Sequence, residues 1–420
     1  MNDVVIIGAG LAGYTAAHYL AKRNLTVRLL EKSSAVGGRA KTKKMNGQYF
    51  NLGPHAVYKK GEGRAILEQL GIQLHGRSPK LNGELYEGDR AYAAPFTASG
   101  LLTTSYLNWK ERIEWMMVVQ RVSRINVEHE SQQTFKQWVD QNVQHSKVKN
   151  LLYALGRLAT YSHAPDIISA KAMLAQLKVS LGGVLYLDGG WQSLVDQLHN
   201  KAVLLGVQIQ TECNVQQIIT DEDDGFKLTL SNGDIIHTHH VIYTGEPKEL
   251  DHILNFEHPY RHFFSSVTPV KGASLDVALT QLPHPKQLYA MGAVDPLYFS
   301  VHSPYAKLSE QGDSVILHCF KYYHPREQVN NDKVRHELEQ FVERLQPGWK
   351  NYEITSRFIP QITVNQRLPQ VEDDSQLLQT QAITPGLYIA GDWASSHSML
   401  LDGAVSSGKR AAEHIIRTMR

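Results

Sequence analysis

The sequence predicts an α/β protein whose sheet is of the nucleotide-binding Rossmann type. Two observations at opposite ends of the chain carry this prediction. A β-branched run at Val4–Ile7 leads into a glycine-rich turn, a helical stretch and a second buried strand at Thr26–Leu30, which together make a βαβ unit. The C-terminus returns to a strand at Gly386–Ala390, a loop and a helix at Gly403–Met419. Strands that alternate with helices predict a parallel sheet with helices on its faces.

Length and composition set the class of protein. A chain of 420 residues is long enough for two domains, and 42% hydrophobic with 20% charged residues excludes long disorder. The net charge of +2 carries no basic excess of the kind that nucleic-acid binding needs. With Cys213 and Cys319 as its two cysteines, the chain has no disulfide framework and no CxxC site, which favours a reducing compartment. We therefore expect a cytoplasmic protein without a spanning helix, with peripheral membrane contact left open.

The glycine-rich turn at the N-terminus has the spacing of a dinucleotide site. Gly8 makes the tight turn, Gly10 lets the backbone approach a pyrophosphate, and Gly13 lets the helix pack closely on the strand. The free N–H groups and the positive dipole end of the helix then face the phosphates. Glu31 ends the second strand, where its carboxylate can accept from both hydroxyls of an adenosine ribose. An acid at this point disfavours the 2′-phosphate of NADP.

The middle of the chain predicts helices and then short strands. The pattern is mostly helical from about Gly61 to about Lys178. One of these helices has apolar residues at i, i+3, i+4 and i+7, which favours packing on the core over a membrane-docking face. Those residues are Trp115, Val118, Val119 and Val122. The strands that follow are Val207–Gln210, Gln217–Ile219, Phe226–Leu230 and Ile235–Tyr243, the last two joined by a hairpin turn at Asn232-Gly233.

Three histidine-containing segments invite a functional interpretation. His237-Thr-His239-His240 suggests a metal, but no Cys, Asp or Glu with ligand spacing completes the set, so we favour a solvated strand end and predict no metal site. Tyr161-Ser-His163 and Tyr322-Tyr-His324 could line a cavity, although a structural role is the better prediction for most such residues.

Further motifs favour FAD over NAD as the ligand. Gly37-Gly38-Arg39 and Asn51-Leu-Gly53-Pro54-His55 follow the βαβ unit, and Gly391-Asp392 ends the C-terminal strand ten positions before the next helix. This arrangement suits a ligand longer than the near half of NAD. Asp392 can accept from a ribityl hydroxyl. The helix that we expect to begin at Gly403, with Asp402 as its N-cap, can point at the flavin pyrimidine edge and stabilise negative charge there.

With these motifs the chain resembles the FAD-dependent amine oxidase, protoporphyrinogen oxidase and phytoene desaturase superfamily. The resemblance is strongest at residues 4–55, 181–219 and 385–412. It implies a discontinuous Rossmann-type FAD-binding domain and a mixed α+β substrate domain. We assign residues 1–78, 182–250 and 382–420 to the former, and residues 79–181 and 251–381 to the latter.

The resemblance also implies the residues of the site, and the sequence departs from the superfamily at two points near its C-terminus. Ser398–Leu401 lacks the aromatic residue that amine oxidases carry before the C-terminal Gly-Ala-Val. The cysteine that holds flavin covalently in some members has no counterpart before Gly391, so FAD should be bound non-covalently. In the superfamily the Val215 position offers backbone contacts to adenine. The cofactor-binding residues expected on these grounds are Gly8, Gly10, Leu11, Ala12, Gly13, Glu31, Lys32, Gly38, Arg39, Gly53, Pro54, His55, Val215, Gly391, Asp392, Met399, Leu400, Gly403 and Ala404.

The function implied is an FAD-dependent oxidoreductase of the oxidase, dehydrogenase or desaturase type. A largely apolar small-molecule substrate would give hydride to flavin N5, and oxygen or a quinone would reoxidise the flavin. His55 is the one candidate catalytic residue, and a purely structural role for it is equally open. Two alternatives remain, a redox-neutral flavin-dependent isomerase and a non-catalytic FAD-bound partner protein.

Overall fold

The computed structural model describes residues 2–130, 132–221, 225–312, 314–373, 377, 382–396 and 398–419. Within these residues the strands are β1 Asn2–Ile7, β2 Val27–Leu30, β3 Thr42–Met45, β4 Gln48–Asn51, β5 Val57–Tyr58, β6 Gly76–Arg77, β7 Glu84–Glu87, β8 Arg90–Ala93, β9 Val184–Leu187, β10 Gln208–Gln210, β11 Val215–Asp221, β12 Gly225–Leu230, β13 Ile235–Tyr243, β14 Val270–Leu279, β15 Tyr289–Gly292, β16 Leu297–Val301, β17 Val315–Tyr322, β18 Glu353–Asn365, β19 Ala382–Thr384 and β20 Leu387–Ile389. The helices are α1 Leu11–Ala21, α2 Glu62–Gln69, α3 Ala98–Thr103, α4 Trp109–Arg124, α5 Phe135–Asn142, α6 Ser146–Thr160, α7 Ala170–Ser180, α8 Gln192–Leu204, α9 Pro247–Ile253, α10 Arg261–Ser266, α11 Asn331–Leu345 and α12 Leu400–Thr418. Short 3₁₀ turns lie at Gly38–Ala40, Val127–His129, Trp349–Tyr352 and Asp392–Ala394.

The first sheet holds the βαβ unit that the sequence predicts. Its strand order is β10-β2-β1-β13-β12-β11, and β20 pairs with both β13 and β19. Strands β10, β2, β1, β13 and β20 run parallel, whereas β11 and β12 form an antiparallel extension. The parallel order brings the carboxyl ends of β1, β2 and β13 to one edge, where ligands of such sheets bind.

Small residues bring the two ends of the chain together across this sheet. A Cβ added at Gly13 would lie 2.0 Å from the carbonyl oxygen of Gly8, so helix α1 packs against its own strand as closely as the prediction for Gly13 requires. A Cβ added at Gly408 would lie 2.3 Å from the carbonyl oxygen of Ala12. Glycine at both positions therefore lets α1 lie between the sheet and the C-terminal helix α12.

The second sheet has seven strands in the order β18-β14-β17-β16-β15-β7-β8. It is antiparallel except where β15 pairs with β7. Helices α4 to α7 cover one face and α11 covers the other, each burying apolar side chains against the strands. The first sheet takes its strands from residues 2–30, 208–243 and 382–389, and the second from 84–93 and 270–365. We propose that the two sheets mark the two predicted domains.

Two local predictions need correction. The stretch from Gly61 to Lys178 is not mostly helical throughout, because β6, β7 and β8 occupy part of residues 76–93. Strand β6 pairs with β9, and β7 and β8 form a short hairpin at the edge of the second sheet. The alternation in these strands spans too few residues to stand out. Helix α12 begins at Leu400 and not at Gly403, which moves Asp402 from the N-cap into the first turn.

Helix α4 confirms the predicted core-facing stripe and adds a second apolar face. Trp115, Val118 and Val122 are buried as expected. Away from this stripe, the exposed apolar side chains of the helix are Trp109, Ile113, Met116 and Met117. No helix among the described residues combines the length and apolarity needed to cross a membrane.

Candidate cofactor and substrate site

Most of the predicted cofactor-binding residues line one cavity of about 400 Å³, which we call the dinucleotide cavity. It runs along the carboxyl ends of β1, β2 and β13 toward the start of α12. The predicted residues that line it are Gly8, Gly10, Leu11, Ala12, Glu31, Lys32, Gly38, Arg39, Pro54, His55, Val215, Gly391, Asp392, Leu400 and Ala404. The predicted residues that do not line it are Gly13, Gly53, Met399 and Gly403.

The glycine-rich turn is shaped for close approach of a ligand. Gly8 has φ of +107°, and a Cβ there would lie 2.4 Å from Oγ1 of Thr244, so only glycine fits. A Cβ at Gly10 would meet no protein atom within 4 Å, because this side of the turn faces the cavity. Helix α1 begins after Gly10 without a side-chain cap, which leaves the first N–H groups directed toward the cavity. The turn therefore has the room and the donors that a pyrophosphate needs.

Two backbone N–H groups hold the carboxylate of Glu31 in place at the end of β2. Its carboxylate is buried, and one oxygen accepts from the N–H of Ala9 while the other accepts from the N–H of Ser33, both at 2.9 Å. Each oxygen keeps a further lone pair for a ribose hydroxyl. Lys32 pairs with Glu249 at 2.9 Å, and Val215 lines this end of the cavity. The residues present fit the adenosine half of the predicted cofactor.

An ion pair joins the two ends of the chain at the far end of the cavity. Asp392 accepts from Nη2 and Nη1 of Arg39 at 2.6 and 2.7 Å, and from the N–H of Gln366 at 3.1 Å. Arg39 also donates to the carbonyl of Val364 at 3.0 Å. Because Oδ1 of Asp392 accepts from a single donor, it can take a second one. The ribityl role of Asp392 thus stays a prediction, and its pairing with Arg39 is a role that sequence reasoning missed.

The start of α12 differs from the prediction for Gly403 and Asp402. Asp402 accepts from the N–H of Gly63 at 2.9 Å and ties α12 to α2. A Cβ at Gly403 would lie 2.7 Å from the carbonyl oxygen of Ser398, so this glycine serves packing of the helix on the preceding loop. Leu400 opens the helix with φ of +57°, a strained value for a leucine. The first turn still presents Leu400 and Ala404 to the cavity.

His55 lies where the dinucleotide cavity meets a second cavity. Its Nδ1 is 3.0 Å from the carbonyl oxygen of Gly53, so Nδ1 carries the proton and Nε2 is an acceptor. The ring edge packs on Trp191 with the centroids 4.6 Å apart. Burial lowers the pKa of His55 to about 4, which keeps the imidazole neutral. Gly53 itself has φ of +82° and turns the chain so that His55 faces inward.

A buried polar network stands behind the segment that carries His55. Asp276 accepts from Nδ1 of His318 at 2.7 Å and from Nε of Arg357 at 3.1 Å. Arg357 also donates to the carbonyl of Asn51. Strands β14, β17 and β18 therefore anchor the end of β4 from which the Gly53–His55 turn departs.

The second cavity, which we call the apolar cavity, has a volume of about 540 Å³. Pro54, His55, Ala56, Tyr161 and Leu400 line both cavities, so the two meet there. Among the described residues that line the apolar cavity, Lys59 is the only one with a charged side chain. Its other walls carry mostly apolar and aromatic side chains, including Phe96, Trp115, Val119, Tyr186 and Tyr298. Met116 and Leu181, 50% and 41% exposed, form its rim.

Several lining residues carried no sequence motif. Thr244, Gly245 and Glu246 follow β13 and line the dinucleotide cavity because β13 runs parallel to β1. The end of β13 was predictable as a strand end, but its place beside β1 requires the topology. Ile362 and Val364, from β18, line the cavity with no local signal at all.

Of the other histidine-containing segments, Tyr161-Ser-His163 reaches this site through Tyr161, and no histidine of these segments lines either cavity. His237 is 2.7 Å from a carboxylate oxygen of Asp221, and no group of three or more His, Cys, Asp or Glu side chains in the described part of the chain could hold a metal. Tyr161 lines both cavities, whereas His163 lines a separate small one. Tyr322 is fully buried in the core of the second sheet.

Comparison with known proteins assigns this architecture to one group. The model of a family described as flavin containing amine oxidoreductase matches residues 11–286 and 325–416. A carotenoid 3,4-desaturase from Haloarcula japonica is 24% identical over 62% of this chain and 60% of its own length. A 15-cis-phytoene desaturase from an Oncidium hybrid cultivar is 23% identical over 99% of this chain and 78% of its own length. The crystal structure of an oxidoreductase from Methanosarcina mazei shares the fold with a TM-score of 0.79 at 16% identity, covering 98% of this chain and 100% of that one.

Proposed function

The chain belongs to the flavin containing amine oxidoreductase family and is an FAD-dependent oxidoreductase. We propose that its substrate is an uncharged, largely apolar small molecule. The observation that carries the proposal is the apolar cavity, which meets the dinucleotide cavity and has Lys59 as its one charged side chain among the described residues. Burying an unpaired charge among such walls costs several kcal/mol, so the cavity selects against charged groups.

The junction of the two cavities is the place where the substrate would react. When bound, FAD supplies the redox chemistry by accepting a hydride and passing the electrons on to oxygen or a quinone. The chain's own contribution is to hold the substrate at Leu400, Tyr161 and His55 and to exclude water. The hydroxyl of Tyr161 donates to the carbonyl of Pro54 at 2.6 Å, which fixes this wall beside His55.

His55 is the residue to which we assign a role in the reaction. The ring of His55 donates to the carbonyl of Gly53 through Nδ1 and also interacts with the backbone of Arg39, and we propose that Nε2 accepts a hydrogen bond from a polar group of the substrate. A neutral imidazole can do this at physiological pH, because the pKa of His55 is lowered to about 4 by burial. That same low pKa makes it a weak base, so orienting a polar group of the substrate is its main proposed role.

Desaturation or dehydrogenation of a carbon skeleton fits the cavity better than oxidation of an amine. Leu400 stands at the junction, in the stretch where the resemblance to amine oxidases would place an aromatic residue. A protonated amine would also meet no carboxylate among the described lining residues of the apolar cavity. A porphyrinogen, which bears several carboxylates, would find only Lys59 to pair with.

An anaerobic flavin-reduction screen tests the proposal. The purified FAD-loaded protein is mixed under argon with a polyene, a porphyrinogen and a primary amine, and flavin absorbance is followed. We expect bleaching with the uncharged polyene or another apolar substrate, followed by recovery on addition of air or a quinone. Bleaching by the amine or the porphyrinogen alone would contradict the proposed substrate class.

The same screen separates the remaining alternatives. Product formation without net flavin reduction would identify a redox-neutral isomerase. A non-catalytic partner protein would show neither product nor bleaching with any substrate. The open apolar cavity of about 540 Å³ supports an enzyme, because a partner protein has no need of such a space.

Two adjacent methionines give a matched pair for testing the cavity mouth. Met116 lines the apolar cavity and is 50% exposed, whereas Met117 is 63% exposed and does not line it. For an apolar substrate dispersed in solvent, Met116→Glu should raise KM at least tenfold, and Met117→Glu should leave it nearly unchanged. FAD content should stay equal in both variants. An equal effect of both substitutions would mean that the mouth lies elsewhere.

We also propose that the substrate arrives from a lipid surface. Leu102, Trp109, Ile113, Met116 and Met117 are exposed apolar side chains on α3 and α4, and Met116 belongs to the rim of the apolar cavity. Flotation of the FAD-loaded protein with phosphatidylcholine vesicles should carry it to the top of the gradient. Trp109→Glu should abolish flotation while leaving turnover of a solvent-dispersed substrate intact. Failure of the parent protein to float would remove this part of the proposal.

A further inference from the structure

Helix α4 exposes cations on the same face as its apolar side chains. Lys110, Arg121 and Arg124 are exposed, and within the described part of the chain none of them forms an ion pair with a carboxylate. Nζ of Lys110 lies 5.8 Å from the ring centroid of Trp109, so the cation and the apolar ring are neighbours. On the next helix, by contrast, Lys136 is paired with a carboxylate at 2.8 Å. The cations of α4 therefore remain available to a partner outside the chain.

The exposed side chains of α4 all lie on one side of the helix. Because successive residues are about 100° apart, they occupy a single arc of roughly 160°. The buried side chains of Trp115, Val118 and Val122 lie on the opposite side, against the core of the second sheet. The members of the arc, which we call the exposed face of α4, are Trp109, Lys110, Ile113, Met116, Met117, Gln120, Arg121, Ser123 and Arg124.

The two carboxylates of α4 are bound to the chain itself. Glu111 is buried and accepts from the N–H of Asn108 at 2.8 Å. Glu114 is half-buried and accepts from the N–H groups of Gln144 and His145 at 2.6 and 3.1 Å. The exposed face of α4, which the structure describes in full, thus carries three cations and no acidic residue.

Two further lysines stand beside the mouth of the apolar cavity. Lys59 is exposed and lines this cavity, as the exposed Met116 of α4 does. The stem of Lys60 packs beside Gly182, where an added Cβ would lie 2.7 Å from its Cγ, and Gly182 follows the rim residue Leu181. Neither lysine forms an ion pair among the described residues. Apolar side chains and positive charge therefore border the same opening.

We propose that the exposed face of α4 and the mouth of the apolar cavity dock on an anionic lipid bilayer. The apolar side chains would enter the boundary of the acyl chains, while the five cations would lie at the level of the headgroup phosphates. Near an anionic membrane each such cation strengthens binding by roughly fivefold. This inference rests on the lipid surface proposed above as the source of the substrate, and it adds the charge of that surface and the residues that recognise it.

Vesicle binding of the FAD-loaded protein tests the charge of the surface. The protein is sedimented with vesicles of phosphatidylcholine alone and with vesicles of about two parts phosphatidylcholine to one part phosphatidylglycerol. The parent should bind the mixed vesicles at least tenfold more tightly, and this gain should shrink at about 1 M salt, where charges are screened beyond about 3 Å.

A triple variant isolates the cations of α4. Lys110→Gln, Arg121→Gln and Arg124→Gln together should remove at least tenfold of the affinity for mixed vesicles. Binding to phosphatidylcholine, FAD content and turnover of a solvent-dispersed substrate should stay the same, because the apolar side chains remain. The charge-matched control removes three exposed cations near α11, on the other face of the second sheet, and should bind both vesicles like the parent. Its substitutions are Lys333→Gln, Arg335→Gln and Lys350→Gln.

Three results would overturn the inference. Equal binding of the parent to both kinds of vesicle would do so, and so would an equal loss in the two triple variants. Both of these results leave the proposed lipid surface in place, because that proposal needs only binding to phosphatidylcholine. The third result, binding to neither vesicle, overturns both proposals. A dimer that Met117→Glu converts to a monomer would then show that a second copy of the chain covers this face.

Discussion

Replacing Asp392 by asparagine removes the carboxylate that joins the two ends of the chain at the cofactor site. The side chain of Asp392 is 2% exposed and accepts two hydrogen bonds from Arg39 and one from Gln366. Removing one partner of a fully buried pair costs roughly 3–5 kcal/mol, and hydrogen bonds to a charged group contribute roughly 1.5–3 kcal/mol. Because the side chain of Arg39 is 38% exposed, water compensates part of this loss. We expect the free energy of unfolding of the FAD-free protein to fall by about 2 kcal/mol.

The Asp392→Asn substitution should also lower the affinity for FAD. Arg39 and Asp392 are 353 positions apart and line the same cavity, so their pair closes the cavity around the cofactor. We expect Kd for FAD to rise tenfold to a hundredfold, about 1.4–2.8 kcal/mol. Fluorescence titration of FAD measures the affinity, and urea unfolding measures the stability. Glu114→Gln is the control, because it removes a hydrogen-bonded carboxylate that lies outside the dinucleotide cavity.

A double-mutant cycle decides whether the ion pair is responsible. Arg39→Met and Asp392→Asn should each weaken FAD binding, and the double variant should lose less than the sum by at least about 1 kcal/mol. The reasoning is refuted if Asp392→Asn binds FAD as tightly as the parent. Strict additivity in the cycle would show instead that each side chain acts on the cofactor separately.

Four further predictions concern the same site. FAD is held without a covalent bond, so acid precipitation should release all flavin to the supernatant, and flavin left in the pellet would contradict this. Glu31→Ala should weaken FAD binding more than Glu31→Gln in the same titration, because the amide oxygen of glutamine still accepts from one hydroxyl; equal losses would count against a ribose contact. His55→Ala should slow flavin reduction by substrate at least tenfold, about 1.4 kcal/mol in the barrier, with FAD content unchanged. The pKa of His55 is about 6.5 in the unfolded chain and about 4 in the folded chain. The parent should therefore lose stability as the pH falls from 6.5 to 4, and His55→Phe should lose less. Identical pH dependence of the two proteins in urea unfolding would refute the assignment.

The strand, turn and helix that carry Gly8, Gly10 and Glu31 could be predicted from the sequence because they are local. Gly8, Gly10 and Glu31 lie within one βαβ unit, so strand, turn and helix place them without help from distant parts of the chain. The start of α12 was predicted three residues late because it depends on contacts with a distant part of the chain. Asp402 has the residue type of an N-cap, yet its oxygen bonds to Gly63 in α2, and the helix begins at Leu400 with φ of +57°.

The apolar cavity could not be predicted, because periodicity shows which face of an element is buried and not what covers it. Trp115 and Val119 share the predicted stripe of α4, and both line this cavity. Tyr186 and Tyr298 come from two strands far apart in sequence and meet on its wall, with their hydroxyls 3.3 Å apart. Such a space is a property of the gap between sheets and helices, which no single segment encodes.

The Arg39–Asp392 pair also has a consequence for biosynthesis. The walls of the dinucleotide cavity come from residues near position 8, from residues near position 215 and from residues as late as Ala404. A ribosome synthesises the chain from its N-terminus, so the glycine-rich turn exists long before Asp392 and Ala404 have left the exit tunnel. A nascent chain up to that point lacks half of the cofactor's surroundings. We therefore expect FAD capture to be a late event that follows the formation of the Arg39–Asp392 pair between the two ends of the full-length chain.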